Sequence, residues 1–290
     1  MNLLFQDEFS RNAAHGEPGR LSEYWRLLEV SRNSVLENLA LEEALARSKS
    51  PASPPTIRIW VNPRGVVVGR FQQVSAEVNL PFCEQNGIQV GRRFTGGGAV
   101  FHDEGSLNLT VVTSRERGKS LNELYRTNSA IISNVLERLG VRSNYAPPNS
   151  IEISGKKVSG SATALGRDFA FWHASVLVST NEQMLSDALQ PSQIAATTQF
   201  IRSKWRPIIT LERALGEHLS MGEMRRRLID SCETCLGAKL ERGELSGGEE
   251  RLMKSLYAMK YSENEWNLLG LLPNKSLERK DGETHTTIAV

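Results

Sequence analysis

The stretch Gly91-Arg92-Arg93-Phe94-Thr95-Gly96-Gly97-Gly98-Ala99-Val100-Phe101-His102-Asp103 constrains this chain more than any other feature. Three successive glycines between two β-rich stretches remove every Cβ from the connection, so backbone N–H groups can approach an anion or a carboxylate closely. Arg92 and Arg93 precede them and can neutralise phosphate charge, the second in a bidentate grip. A glycine hairpin flanked by solvated arginines would carry the same three glycines; the neighbours on both sides tilt the reading toward an anion-binding loop. It is neither of the common nucleotide loops. It does not open a helix, as the dinucleotide fingerprint requires. The P-loop lookalike Gly118-Lys119-Ser120 lacks its first glycine, because position 113 is Thr113. Lys119-Ser120 reads instead as a helix start with Ser120 as N-cap.

Around this loop the pattern is mixed. Ser34 to Ser48 reads as a helix, capped by Ser34 with Glu37 in capping-box position. After the breaker Ser50-Pro51-Ala52-Ser53-Pro54-Pro55 come strands over Thr56–Trp60 and Gly65–Gly69, then a helix near 76–87. Strands follow at Ile88–Phe94, Ala99–His102 and Leu107–Val112. Leu121, Leu124, Ile131, Ile132, Val135 and Leu139 recur at helical spacing. Further strands are expected at Ser150–Ile153, Lys157–Ala164 and Phe169–Val178. The rest is helical: Glu182–Leu189, Thr210–Leu219, Met221–Leu236 and Gly247–Ala258. The expectation is an α+β fold, a mixed β-sheet with flanking helices and a small helical C-terminal part. Residues 1–20 read as a flexible extension, 21–270 as the catalytic domain and 271–290 as a disordered tail.

Composition removes several classes. With 290 residues the chain can bury a full core without metal or disulfide staples. Its net charge of +2 argues against a general nucleic-acid binder. No apolar run reaches the roughly 18 residues of a membrane helix, and the first residues do not resemble a secretory signal. Three cysteines make no disulfide framework. The reading is a cytoplasmic protein without a membrane partner.

Gly155-Lys156-Lys157-Val158-Ser159-Gly160-Ser161-Ala162 is the second chemical signal. On a strand the two lysines point to opposite faces, so at most one faces a cleft, where it could donate to a carboxylate or phosphate. Adjacent lysines also mark exposed edge strands, and this segment alone does not decide. Cys232-Glu233-Thr234-Cys235 has CxxC spacing, but with no second pair or histidine nearby it reads as two cysteines sharing a helix face. Cys83 reads as a packing residue. His173, after Phe171-Trp172, is equally readable as a core or a cleft histidine.

Taken in order, these segments resemble the lipoate–protein ligase family of the biotin/lipoyl ligase superfamily, over roughly residues 24–270. Glu37-Asn38-Leu39-Ala40-Leu41-Glu42-Glu43-Ala44-Leu45 resembles its first helix. Arg58-Ile59-Trp60 through Val66-Val67-Val68-Gly69-Arg70-Phe71-Gln72 resembles the next hairpin. Arg92 to Asp103, with Gly105 and Leu107-Asn108, is similar to the family signature, and Gly155 to Ala162 to its catalytic-lysine motif. The resemblance implies two half-reactions: lipoate and MgATP give lipoyl-AMP and pyrophosphate, and the acyl group then passes to a lysine of a lipoyl-carrier domain protein. It implies Lys157 as the catalytic residue, which also holds the nucleotide. With it stand Arg93, Gly97, Gly98, Ala99, Val100, Phe101, Asn149 and Ser161 as cofactor-binding residues. Arg93 would hold phosphate.

Two departures stand out. Many members carry Asn-Asp before the lysine motif, where the acid can serve Mg2+; here the pair is Asn149-Ser150, so the metal ligands are unknown, with Glu152 or Asp103 as substitutes. Single-chain ligases continue into an accessory domain after a Glu-Trp-Asn segment, and here Glu265-Trp266-Asn267 is followed by 23 residues. The resemblance therefore implies a separate accessory ligase subunit, needed for the adenylation step. The rival functions are an octanoyltransferase that uses no ATP and a non-catalytic lipoate-binding protein.

Overall fold

The computed structural model describes residues 24–189 and 200–272. The extension expected over 1–20, and all of the expected tail beyond Leu272, lie outside the described residues. The elements in chain order are β1 (Trp25–Leu28), α1 (Val35–Arg47), β2 (Thr56–Val61), β3 (Gly65–Val68), α2 (Val74–Glu77), α3 (Leu80–Gln85), β4 (Gln89–Arg92), β5 (Val100–His102) and β6 (Ser106–Ser114). There follow α4 (Leu121–Arg138), β7 (Asn144–Ala146), β8 (Ser150–Ile153), β9 (Lys156–Leu165), β10 (Phe169–Leu177), α5 (Glu182–Ala188), α6 (Leu211–Leu215), α7 (Met221–Leu236), β11 (Leu240–Arg242) and α8 (Gly247–Leu256). Two π-helical turns, Tyr257–Tyr261 and Glu265–Leu269, close the described chain.

A large mixed sheet runs in the order β11-β1-β2-β6-β10-β9-β8-β7, and a small one in the order β4-β3-β5. Alternation along the strands of the large sheet gives its two faces different chemistry. Ile57, Ile59, Leu107, Leu109, Val111, Trp172, Ala174 and Val176 meet Ile131, Ile132, Val135 and Leu136 of α4 and Met224, Leu228 and Cys232 of α7. The opposite face carries Arg58, Trp60, Asn108, Thr110, His173 and Ser175 in paired register, and it looks toward α1 and the small sheet. A second apolar cluster joins α1 to Val67, Phe171, Met253, Tyr261 and Trp266. A third fills the space between the small sheet, α2, α3 and α5 and buries Cys83.

Local details depart from the sequence pattern where tertiary contacts outweigh it. Ser34 makes no side-chain cap to α1. Gln89 of β4 supplies it instead, its Oε1 accepting from the Val35 N–H at 2.8 Å and from Ser34 Oγ at 3.1 Å. The expected capping box is absent because the helix start packs against a strand that brings its own acceptor. Ser120, by contrast, forms a complete capping box with Glu123. The helix expected over 76–87 divides at Val78, which is extended and bridges Leu189. Pro81 then sits in the first turn of α3, where its missing N–H costs nothing. β1, β7 and β11 are three- or four-residue strands, too short for period-2 patterning to reveal. Cys232 and Cys235 share the α7 face against α4, Cys235 Sγ lying 3.9 Å from the Ala130 carbonyl, so the CxxC spacing is structural.

One contact ties the small sheet to the C-terminal segment. Arg92 is buried, with Nη1 donating to the carbonyls of Gly69, Arg70 and Gln72 and Nη2 to that of Leu268. Its Nε donates to the Trp266 carbonyl at 2.8 Å, and Trp266 Nε1 returns a hydrogen bond to the Arg92 carbonyl at 2.8 Å. Asn267 Oδ1 accepts from the Arg92 N–H. Replacing Arg92 with methionine strips five carbonyls of their donor and is expected to destabilise the fold by about 3 kcal/mol, read as a melting temperature lower by roughly 6–12 °C. Arg92→Lys, with a compact ammonium in place of the planar fork, should recover only part of this.

Candidate active site

The glycine-rich loop runs from the end of β4 to the start of β5 and lies over the polar face of the large sheet. Two cavities meet beneath and beside it. The first, about 310 Å³, is lined by Glu42, Trp60, Val67, His102, Asn108 and His173 among others. The second, about 480 Å³, is lined by Phe101, Leu177, Leu185, Leu189, Trp205 and Ile208 among others. Ala99, Val100, Lys157, Gly160, Ser175, Ser203, Lys204 and Arg206 line both. The site is thus one cleft with two lobes, and Lys157 stands at their junction.

Arg93 shapes the loop. Its Nη2 donates to the carbonyls of Gly96 at 2.7 Å and Gly98 at 2.8 Å, its Nη1 to that of Val67 at 3.0 Å and its Nε to Thr95 Oγ1 at 3.0 Å. Gly97 has φ of +91°, and a Cβ on Gly69 would come within 2.0 Å of the Gly97 carbonyl oxygen. These constraints explain why glycine is needed at 69 and 97. Arg92 follows the strand alternation to the other side of β4, into the contact with Trp266, and does not line either lobe. The expectation that both arginines face phosphate is corrected for Arg92: adjacent residues on a strand cannot share a face.

Lys157 is held by its backbone on both sides. Its N–H donates to the Pro207 carbonyl at 2.8 Å and its carbonyl accepts from Ile209 N at 3.0 Å. Its Nζ reaches over Gly160, where an added Cβ would sit 2.5 Å from it. No described residue hydrogen-bonds this ammonium. Burial first, then the charges of Arg206 and Arg93, lower its pKa to about 8 against the pull of Glu152. A lysine so placed is short of negative charge.

Asn149 and Ser161 are brought together as a pair: Asn149 Nδ2 donates to the Ser161 carbonyl at 2.8 Å and Ser161 N to the Asn149 carbonyl at 2.9 Å. Both line the first lobe, as do Gly97, Gly98, Ala99 and Val100, while Phe101 lines the second. Residues 201–208 also reach the cleft, and they had no role in the sequence reading. Ser203 Oγ accepts from the Ala99 N–H at 2.9 Å and from Gln72 Nε2 at 3.0 Å, and the Ser203 N–H donates to the Glu77 carboxylate. A Cβ on Gly98 would lie 2.8 Å from Ser203 Oγ. Arg206 pairs with Glu152 beside Lys157. The available signal was Arg202-Ser203-Lys204-Trp205-Arg206, three cations around a tryptophan that is 72% exposed.

Below the first lobe a buried polar chain settles the position of His173 as a cleft histidine. Its Nδ1 meets Glu42 Oε2 at 2.7 Å and its Nε2 meets Thr95 Oγ1 at 2.9 Å. Burial pushes the Glu42 carboxyl upward, but His173, Arg58 and the Thr110 hydroxyl outweigh it, and the net shift is downward. His102 is driven down to about 3, by burial and then by His173 and Arg93 against the opposing charge of Glu42, so it is neutral. Asn62 Nδ2 donates to its Nδ1 at 3.0 Å, and this leaves Nε2 as the protonated nitrogen.

Neither substitute magnesium ligand is free at the cleft. Asp103 accepts from Gly105 N, Ser106 Oγ and Asn181 N and organises the turn after β5. Glu152 is engaged by Arg206. Among the described residues no group of three or more His, Cys, Asp or Glu could hold a metal. The donor set does not fit a metal caged by this chain. Nor is any described helix long and apolar enough to cross a membrane.

Residues 34–233 match the family model for the lipoyl protein ligase A/B catalytic domain. Lipoate-protein ligase A subunit 1 of Thermoplasma acidophilum is 32% identical over 256 residues, 85% of this chain and 96% of that protein. Octanoyltransferase LipM of Halalkalibacterium halodurans is 28% identical over 84% of this chain and 99% of its own length. Among solved structures, the bipartite lipoate protein ligase of T. acidophilum, described with its E2 lipoyl domain, superimposes with a TM-score of 0.77 at 32% identity, covering 88% of this chain and 99% of that one. A T. acidophilum structure with bound lipoic acid gives 0.75 at 30% identity, covering 84% and 99%. Lipoate-protein ligase A bound with ATP gives 0.76 at 30% identity, covering 86% and 100%. With its mixed sheet, its two-lobed cleft and a family match over more than half its length, the chain belongs to the lipoyl protein ligase A/B catalytic-domain family.

Proposed function

We propose that this chain is an ATP-dependent lipoate–protein ligase that forms lipoyl-AMP and passes the lipoyl group to a lysine of a lipoyl-carrier domain. The observation that carries the reading is the desolvated ammonium of Lys157, without a hydrogen-bond partner among the described residues, at the junction of two lobes. A reaction that joins two anions, a carboxylate and a triphosphate, needs a positive group where they meet. In the first half-reaction a carboxylate oxygen attacks the α-phosphorus and pyrophosphate leaves. In the second, the neutral amine of the acceptor lysine attacks the acyl carbonyl, AMP leaves with the C–O bonding pair, and the amine gives up a proton. Lys157 holds the carboxylate oxygen and then the acyl carbonyl, and stabilises the charge that gathers on each. The first lobe, with Trp60 and Val67, takes the acyl chain. The second, with Phe101, Leu177 and Ile208, takes the nucleoside.

The loop acts here through its shape: Arg93 fixes the carbonyls of Gly96 and Gly98, and Gly97 to Val100 line the first lobe. Mg2+ would reach this site with the triphosphate, keeping most of its ligands from phosphate and water. The bound lipoic acid and bound ATP of the two relatives support the assignment of substrates. The bipartite T. acidophilum ligase with its lipoyl domain supports a carrier-domain acceptor and a separate accessory subunit. The kinship with an octanoyltransferase makes ATP-free acyl transfer the competing reading. A cysteine route has no thiol at the cleft, since Cys83 is buried in the third cluster and Cys232 and Cys235 lie between α4 and α7.

Lys157→Ala should abolish lipoylation of a carrier domain from supplied lipoyl-AMP while leaving the melting temperature within a few degrees. The chain alone should transfer from lipoyl-AMP yet release little pyrophosphate from lipoate and ATP until an accessory subunit is added. Strong lipoyl-AMP formation by the lone chain would remove the accessory subunit from this reading; transfer from an octanoyl carrier without ATP use would remove the ligase.

A pH dependence follows from the same lysine. Its charged form binds the anion, so affinity for a non-reactive acyl-sulfamoyl adenosine is full below pH 8. It falls as pH rises through about 8, by roughly tenfold per unit. Calorimetry should show this fall in the wild type and a flat profile in Lys157→Arg.

A further inference from the structure

The polar side chains of the first lobe are largely satisfied by one another. Glu42 accepts from Thr110, Trp60 Nε1 donates to Thr110 Oγ1 at 3.0 Å, and His173 bridges Glu42 and Thr95. Two buried side-chain atoms of the lining stand apart. Asn108 Nδ2 and Ser175 Oγ have no hydrogen-bond partner among the described residues. Asn108 is 2% exposed and Ser175 9%. A buried donor left unpaired is expensive, and a folded chain that keeps one in a ligand cavity leaves its partner to the ligand.

Register places the two atoms along the path of the acyl chain. Trp60 lies opposite Asn108, Asn108 opposite Ser175, and Ser175 opposite Gly160. All four belong to the cleft face and form a row across β2, β6, β10 and β9. Neighbouring strands are about 4.8 Å apart. The Lys157 ammonium rests over Gly160. Ser175 is therefore one strand from the group that holds the carboxylate, and Asn108 is two strands away, about 10 Å along the row. On this spacing, an eight-carbon acid anchored at Lys157 would pass Ser175 and reach Asn108 and Trp60 with its distal end.

We propose that Asn108 is a specificity-determining residue: its Nδ2–H donates to an acceptor atom at the far end of the acyl chain, the ring sulfur of a dithiolane. It thereby selects such chains over a plain alkyl chain of equal length. The proposal rests on the acyl-ligase reading of the cleft. Divalent sulfur is a weak acceptor, but no described residue competes for the donor. An octanoyl methyl group in the same place would leave the donor unpaired, and that difference is what discriminates.

The test is calorimetry of the full chain with lipoate and with octanoate, on the wild type, Asn108→Leu and Asn108→Ala, together with thermal melts. The wild type should bind lipoate roughly tenfold more tightly than octanoate. Asn108→Leu should bring the ratio close to one, mainly by weakening lipoate. Its melting temperature should be unchanged or higher, since an apolar group replaces an unpaired donor. Asn108→Ala should also lose the ratio, and it guards against a steric effect of leucine. A ratio that survives both substitutions, a wild type without preference, or a fall in the Asn108→Leu melting temperature with the ratio intact would each overturn the role of Asn108. If the wild type binds neither acid, nor lipoyl-sulfamoyl adenosine, the acyl-binding reading of the cleft falls and this inference with it.

Discussion

Two buried guanidinium groups, neighbours in sequence, organise the glycine-rich loop and its surroundings, Arg93 through carbonyls of the loop itself and Arg92 through carbonyls of the 69–72 turn and the C-terminal segment, and the site depends on that grip. Arg92 and Arg93 leave β4 on opposite sides. One gathers the carbonyls of Gly69, Arg70, Gln72, Trp266 and Leu268, the other those of Val67, Gly96 and Gly98. Burial lowers both to about 10, so both remain charged at neutral pH. Neither is paired with a carboxylate in these contacts; carbonyl dipoles carry the solvation instead. Carbonyls held inward by an arginine give a loop of successive glycines one fixed shape.

The cleft built on this loop separates two kinds of environment. Apart from Asn108 and Ser175, the polar floor of the first lobe is mutually satisfied, an arrangement in which a deletion at one member of the chain leaves another unpaired. The second lobe is lined by aliphatic and aromatic side chains from α5, β5, β10 and the 203–208 segment. Lys157 belongs to both because it opens β9, where the strand edge is covered by Pro207 to Ile209. The position of the Lys157 ammonium is therefore set by main-chain pairing, while Gly160 clears the space it occupies.

Much of this could be read from residue order. The glycine run, the lysine motif and the alternation of β2, β6 and β10 announced a mixed sheet with a glycine-rich connection between strands, because each is a local pattern with a local cause. What escaped was set by tertiary partners. Ser34 lost its capping role to Gln89, 55 residues away. The division of labour between Arg92 and Arg93 depends on which face of β4 each occupies. Ser203 takes the Ala99 N–H across more than 100 positions, from a stretch with no periodicity to mark it. Asn108 looks like any polar residue of a half-buried strand, and only the cross-strand register shows its amide unpaired in the cavity floor.

The contact between Arg92 and Trp266 spans 174 residues. Closing a loop of that length early in folding would forfeit chain entropy with little to offset it, so the clasp belongs to the last steps of assembly. During synthesis the sheets and α4 can pack well before residue 266 leaves the ribosome. Arg92, at the base of the glycine-rich loop, lacks its partners Trp266, Asn267 and Leu268 until that segment arrives. A nascent chain would then carry a nearly finished scaffold whose glycine-rich loop is already held by Arg93, while β4 still waits to be clasped from the C-terminal side.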